Sequence, residues 1–325
     1  MPTRPPTRAR VLPADAEGIR QAAAVLCAGG LVAFPTETVY GLGANAWDAE
    51  AIRRVFEAKG RPADNPLIVH VADYGGLTGV AAAVPPLARR LAARFWPGPL
   101  TLVVDAAVDL PSVTTGGLAT VGVRIPAHPA ALALLEAAGV PVAGPSANRS
   151  GRPSPTTAAH VLDDLADQVD VVLDGGLCEV GVESTVVDAR GRVPVVLREG
   201  AVTREQLGVG SASNGQADLA ASPGTRHRHY APRCGVEVAP TGLGPARAAE
   251  LASSGAYVGL IATGEAEPPV RQLVRFSDAA ELGQLLYRAL RAAEDAGIDI
   301  VVVEAVEPAG IGRAVMDRVR RAAAG

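Results

Sequence analysis

The longest apolar runs in this chain are broken by glycine or proline, as in AAAVLCAGGLVAF, and helical spacing recurs between the runs. Such runs cannot span a bilayer. Brief buried strands alternating with amphipathic helices specify a mixed α/β protein. Residues 15–30 read as a helix capped by Gly29-Gly30, and LVAFPT as a buried strand stopped at Pro35. Asp48 is a good N-cap for AEAIRRVFEAKG, where Ile52, Val55, Phe56 and Lys59 share a helical spacing. This puts Lys59 at the end of a helix and Arg61 in the loop beyond it. NPLIVHV follows as a strand and 85–96 as a helix. PLTLVVDA and TVGVRIPA are strands, HPAALALLEAAG a helix, and PVAGPSAN a strand entering a polar loop. TTAAHVLDDLAD is a helix, and VDVVLDGG, ESTVVDAR and VPVVLREG are three further strands.

Periodicity fades in the Ser/Gly/Ala/Asn stretch that follows, which reads as a linker. Order returns with AYVGLIA and LVRFSD as strands, a helix through AAELGQLLYRALRAAEDAG, IDIVVVEAV as a buried strand and IGRAVMDRVRRAAA as a closing helix. The expected division is 1–208, a linker over 209–234, and a small parallel-sheet domain over 235–325.

Hydrophobic residues make up 48% and charged residues 20%, so two ordered domains are affordable in 325 residues. The formal charge of −4 argues against a chain held on nucleic acid by bulk electrostatics, though not against a local basic groove. Three widely spaced cysteines, Cys27, Cys178 and Cys234, support neither a disulfide framework nor a cysteine-based zinc site. The start, MPTRPPTRAR, is basic and proline-rich with no apolar stretch behind it, so no signal peptide is expected. A cytoplasmic protein without membrane association is the expectation.

Chemistry concentrates in a few polar islands. KGRPADN (59–65) is either a helix end whose cations complement the dipole or an anion site, and Gly60 and Pro62 stiffen it as an anion site needs. SANRSGRPSPT (146–156) presents hydroxyls and an amide just beyond an apolar strand, where α/β proteins place ligands, although such composition also makes plain surface loops. FPTETVYGLGAN (34–45) sets hydroxyls and one carboxylate between apolar runs, which fits a strand-end turn as well as a site. Arg124 lies inside an apolar strand, where a charge needs a partner: an internal acid, or a substrate carboxylate. Ser184 and Arg198 stand at strand termini. His227 and His229 in HRHY lack a third ligand nearby, so no metal site is assigned. The P-loop, GxGxxG and GxSxG patterns are missing, so a nucleotide would have to bind by another route.

FPTETVYGLG, KGRPADNPLIVHV, FWPGPLTLVV, VGVRIPAHP, GPSANRSGRPSPT, ESTVVD and LREG occur in the order of the YrdC-like family, which this chain resembles densely over about 10–232. SPGTRHRHYAP with a further α/β domain resembles the longer Sua5 type of that family. The resemblance implies an open, twisted mixed sheet with a concave cleft, plus a smaller Rossmann-like C-terminal domain. It implies that L-threonine, bicarbonate and ATP are joined into L-threonylcarbamoyladenylate with release of pyrophosphate, for the t6A37 modification of tRNA. By motif, Lys59, Arg61, Ser146 and Asn148 would hold the phosphates and the reacting carbamate, with Lys59 and Arg61 catalytic. Asn65, Thr120, Ser154, Arg198 and Tyr230 would complete the ATP site, and Mg2+ would enter with the nucleotide. Thr36 or Thr38, His70, Arg124 and Ser184 would surround threonine, with Arg124 on its carboxylate and the linker's Tyr230 folding over the cleft. The product would pass to the tRNA threonylcarbamoyl-transferase machinery, with weak RNA binding left open. Two other readings stand beside it: a carbamoyltransferase module, whose usual acylphosphatase and zinc-finger segments have no counterpart here, and an RNA- or ribosome-binding protein with a basic concave face.

Overall fold

The computed structural model describes residues 8–210 and 230–324. Among these, the chain divides into two compact units: one of 8–150, 155–179 and 183–210, the other of 151–154, 180–182 and 230–324. The expected linker, 209–234, falls mostly outside the described residues. No helix among the described residues is long and apolar enough to cross a membrane.

The first unit is built on ten strands: β1 (Arg10–Pro13), β2 (Val32–Phe34), β3 (Gly41–Asn45), β4 (Ile68–His70), β5 (Leu100–Asp105), β6 (Thr120–Arg124), β7 (Val142–Gly144), β8 (Val171–Asp174), β9 (Thr185–Asp188) and β10 (Val195–Arg198). They form one mixed sheet in the order β1-β8-β2-β3-β7-β4-β6-β5-β9-β10. Its helices are α1 (Ala16–Cys27), α2 (Ala49–Lys59), α3 (Tyr74–Val80), α4 (Pro86–Phe95), α5 (Pro129–Ala138), α6 (Ala158–Leu165) and the short α7 (Arg204–Leu207). β1, α3 and α7 lie in stretches where neither a two-residue nor a helical period is evident from the sequence.

The period of two along each strand explains how this sheet makes both a core and a site. Leu42, Ala44, Val69, Leu100, Leu102, Val121, Val123 and Ala143 point into one large cluster with Ile52 and Val55 of α2, Leu77 of α3, Leu91 of α4 and Val161 of α6. On the opposite face, Val32, Phe34, Val171 and Leu173 pack under α1 and α5 through Leu26, Leu134 and Leu135. Farther along that second face the alternate residues are Gly41, Gly43, Gly144, Ile68, His70, Gly122, Thr120, Arg124 and Thr101. Apart from Ile68, glycine backbone and polar side chains replace aliphatic ones there. The apolar cluster beyond α1 and α5 on this face is small, Val103, Val186 and Leu197, and includes no helical residue. Several of these glycines leave no room for a side chain: a Cβ on Gly144 would lie 2.1 Å from the Leu42 carbonyl oxygen.

The second unit has a four-stranded, all-parallel sheet of β11 (Gly235–Ala239), β12 (Val258–Ala262), β13 (Arg271–Arg275) and β14 (Ile300–Glu304), in the order β11-β14-β12-β13. α8 (Gly244–Ser253), α9 (Ala279–Asp295) and α10 (Gly312–Ala323) accompany it. This agrees with a small parallel α/β domain, and adds β11 and α8. The short segments 151–154 and 180–182 belong here: Arg291 Nη2 donates to the Pro153 carbonyl at 2.6 Å, and Gly181, at φ 74°, lies so close to Gln284 that a Cβ would come within 2.5 Å of its Cα.

Candidate active site

Lys59 is delivered by α2. Asp48 caps the helix by accepting from the amides of Glu50 and Ala51, and Gly60 ends it in the left-handed region at φ 60°. The buried Nζ of Lys59 then donates to the carbonyl oxygens of Ser146 and Asn148 and, at 3.3 Å, to Asn148 Oδ1. The Ser146 hydroxyl donates to Asn148 Oδ1 at 2.6 Å, and Asn148 Nδ2 donates to the Arg149 carbonyl at 2.8 Å. The two polar islands therefore meet, with Lys59 as their joint. Beside them, Arg61 is 8% exposed and donates to the carbonyls of Asn65 and Pro66 at 3.4 and 3.2 Å. Both polar side-chain atoms of Asn65 are buried without a hydrogen-bond partner. This group lies where β3 begins, β7 ends and β4 begins.

A second group gathers at the opposite ends of the strands. His70 ends β4 and Arg124 ends β6, and the two are paired in register. Arg124 is 3% exposed; its Nε donates to the Gly98 carbonyl at 3.1 Å and its Nη1 to Thr38 Oγ1 at 3.0 Å. Its Nη2 stands 2.6 Å from Glu37 Oε1, but no hydrogen-bond partner is aligned with either atom, so the contact is an ion pair rather than a hydrogen bond. The internal-acid reading of Arg124 thus has its acid in Glu37. The imidazole of His70 lies edge-on to Phe34 at 5.5 Å, with Nδ1 buried and unpartnered. Burial, and then the Arg124 charge, drives its pKa down to about 3, so it is neutral.

The two hydroxyls of the 35–40 segment have different duties. Thr36 Oγ1 donates to the Val39 carbonyl at 2.6 Å and accepts from the Val39 amide, holding the turn. That leaves Thr38 to donate in the 2.8 Å contact between the two hydroxyls while it accepts from Arg124. The same segment reaches the Lys59 group, because the Tyr40 carbonyl accepts from the Ala147 amide at 2.8 Å.

Ser184 and Arg198 are brought together: Arg198 Nη2 donates to the Ser184 carbonyl at 2.9 Å and to its hydroxyl at 3.1 Å, and that hydroxyl also contacts Thr101 Oγ1 at 2.8 Å. Thr185 follows as the first residue of β9, its amide bonded to the Pro99 carbonyl next to the Gly98 that holds Arg124. Thr120 opens β6 at the end away from Arg124 and is 8% exposed. Ser154 and Tyr230 fall in the second unit. Ser154 is buried, and Tyr230 stacks on Tyr287 at 5.5 Å with the Arg318 guanidinium also 5.5 Å from its ring. His227 and His229 lie outside the described residues, among which no cluster of three acidic, histidine or cysteine side chains could hold a metal. Residue-by-residue reading passed over Glu37 and Thr101. The signal for Glu37 was a lone carboxylate flanked by two threonines between apolar runs.

The family model described as "Telomere recombination" (Sua5, YciO and YrdC) matches residues 24–200, and that described as "Threonylcarbamoyl-AMP synthase, C-terminal domain" matches residues 195–324. The chain is 45% identical over 319 residues to a threonylcarbamoyl-AMP synthase of Pyrococcus abyssi, covering 94% of this chain and 93% of that protein. It is 41% identical over 324 residues to one of Bacillus subtilis, with the same two coverages. The solved structure of P. abyssi Sua5 complexed with L-threonine superposes with a TM-score of 0.89 at 43% identity, covering 98% of each chain. E. coli YciO superposes with a TM-score of 0.55 at 27% identity, over 62% of this chain and 99% of that one.

Proposed function

The chain belongs to the Sua5, YciO and YrdC family, and from that premise we propose that it is a threonylcarbamoyl-AMP synthase. The threonine ammonium and bicarbonate give a carbamate, water and a proton. A carbamate oxygen then attacks the α-phosphorus of ATP, and the bond to pyrophosphate breaks. The observation that carries the reading is the division of the glycine-lined face. A cation, hydroxyl and amide group stands at one end of its strands, and a buried arginine with a hydroxyl and a neutral histidine stands at the other. Thr120 to Arg124 spans four residue steps, roughly 13 Å at strand rise. That length suits a substrate pair whose amino acid and leaving pyrophosphate must lie apart.

In this reading Lys59 and Arg61 stabilise the charge that grows on the α-phosphoryl and pyrophosphate oxygens, assisted by Ser146 and Asn148. Asn65, Thr120 and Arg198 complete the first unit's part of the ATP site. Arg124 takes the threonine carboxylate, with His70, Ser184 and a hydroxyl of the 35–40 segment around it. Thr36 holds its own turn and Thr38 accepts from Arg124, which favours Thr38 as that hydroxyl. Mg2+ entering with ATP would add charge neutralisation beside Lys59 and Arg61. The catalytic domain falls within 1–208, apart from 151–154 and 180–182, and the product is handed on in the cytoplasm to the machinery that modifies tRNA.

The test is incubation of the purified protein with ATP, L-threonine and bicarbonate while pyrophosphate is followed. Release that requires all three supports the assignment, and release indifferent to threonine overturns it. Arg61→Ala is expected to remove at least about 99% of the rate with the circular dichroism spectrum unchanged, as for loss of a single transition-state contact.

A further inference from the structure

Among the described residues Glu37 is the one carboxylate whose oxygens are buried without a hydrogen-bond donor. Other enclosed acids are served. Glu304, fully buried, accepts from the Gly244 amide and the Thr263 hydroxyl, and Asp170 accepts from the Leu31 amide and Arg54. Glu37 is 8% exposed at its side chain, and Oε2 meets nothing that could donate. A carboxylate taken out of water keeps its charge only where donors replace that water, so a purely structural counterion for Arg124 would be expected to turn its oxygens onto the guanidinium N–H groups. It does not: the two charges touch, yet each retains unused hydrogen-bonding capacity.

A positive and a negative group placed side by side, each awaiting a partner, complement a ligand bearing the opposite charges on one carbon. An α-amino acid zwitterion is such a ligand. Resting on the function proposed above, we propose that Glu37 recognises the α-ammonium of the amino-acid substrate, so that the Arg124–Glu37 pair selects a zwitterion rather than a simple carboxylate. A metal ion is disfavoured as the occupant because Arg124 lies against the same carboxylate. The other titratable groups near Glu37, His128 at the start of α5 and Cys178 beyond β8, offer it no competing salt bridge. The geometry also gives the reactive nitrogen a fixed address: with the carboxylate on Arg124, the amine is held beside Glu37.

The test is calorimetric titration of the full chain with L-threonine and with (2S,3R)-2,3-dihydroxybutanoate, in which a hydroxyl replaces the ammonium. The wild-type protein is expected to prefer threonine by at least about 30-fold, the usual scale for one buried charge pair. Glu37→Gln should weaken threonine by a similar factor and leave the analogue within about threefold, a pattern that general loosening of the site would not give. Should the Gln variant fail to fold, Glu37→Asp, which withdraws the same charge by one methylene, should weaken threonine more than the analogue. Equal binding of the two ligands by the wild-type protein, or a Glu37 variant that keeps the full preference, overturns the proposal. If threonine-dependent pyrophosphate release persists in that case, only the role of Glu37 falls; if the wild-type protein binds neither ligand, the functional reading falls with it.

Discussion

At Lys59 a single side chain is both a structural joint and a candidate catalytic charge. Its ammonium serves the carbonyls of Ser146 and Asn148 while its stem is buried. Lys59→Met keeps the stem and removes the donor, which strands those acceptors. Because a charge-assisted hydrogen bond contributes roughly 1.5–3 kcal/mol, urea denaturation should show a loss of about that size together with loss of turnover. A variant of unchanged stability would mean that the loop is held by other bonds. Cys178 gives a second residue-scale expectation. Burial pushes its thiol up to about 12, so almost no thiolate is present at pH 8, whereas Cys27 is exposed. Titration with a disulfide reagent and peptide mapping should find Cys27 modified in the native protein, and Cys178 only after unfolding. Early modification of Cys178 would contradict its packing.

At the scale of elements, α2 shows how much was legible in advance. Its N-cap, its buried stripe and its C-terminal glycine were all present as local signals in 48–60. Gly60 has nothing within 4 Å of where a Cβ would be, so Gly60→Ala carries only the left-handed backbone cost, about 1 kcal/mol. Asp48→Ala should lose about 1 kcal/mol through its two amide bonds. Thermal melts of both variants check this, and a much larger loss for Gly60→Ala would mean that the 59–65 loop itself had moved. Elements with a clear period, such as β5, β6, β8, α9 and β14, were legible in the same way. β1 and β11 were not, because Arg10–Pro13 and Gly235–Ala239 are half-exposed strands whose partners, β8 and β14, are remote in sequence. Strand order is likewise a long-range property that no local window contains. The site follows the same division. The cations and hydroxyls at element ends stood out, but the pairing of Arg124 with Glu37 depends on a segment crossing the sheet face, and Arg198 against Ser184 depends on how β10 meets the start of β9.

For the molecule as a whole, the first unit's sheet is asymmetric: one face is filled with aliphatic side chains, while part of the other carries glycine, histidine and arginine. This arrangement should be visible in the pH dependence of folding stability. His70 is held neutral, with a folded pKa of about 3 against an ordinary value near 6.5. Between those values the unfolded chain binds a proton that the folded chain refuses. Stability therefore falls as pH drops below about 6.5 and continues to fall toward 3, by up to about 1.4 kcal/mol per pH unit from this residue. His128, whose pKa burial also lowers, acts with the same sign. A His70→Asn variant cannot take up the proton, so denaturant titrations at pH 6.5, 5.5 and 4.5 should give it a shallower decline than the wild-type protein, the gap widening by about 1 kcal/mol at each step. Parallel declines in the two proteins would show that His70 is solvated and titrates normally. That result would remove the neutral imidazole from the amino-acid end of the site, and the division of the face on which the functional reading rests would need redrawing.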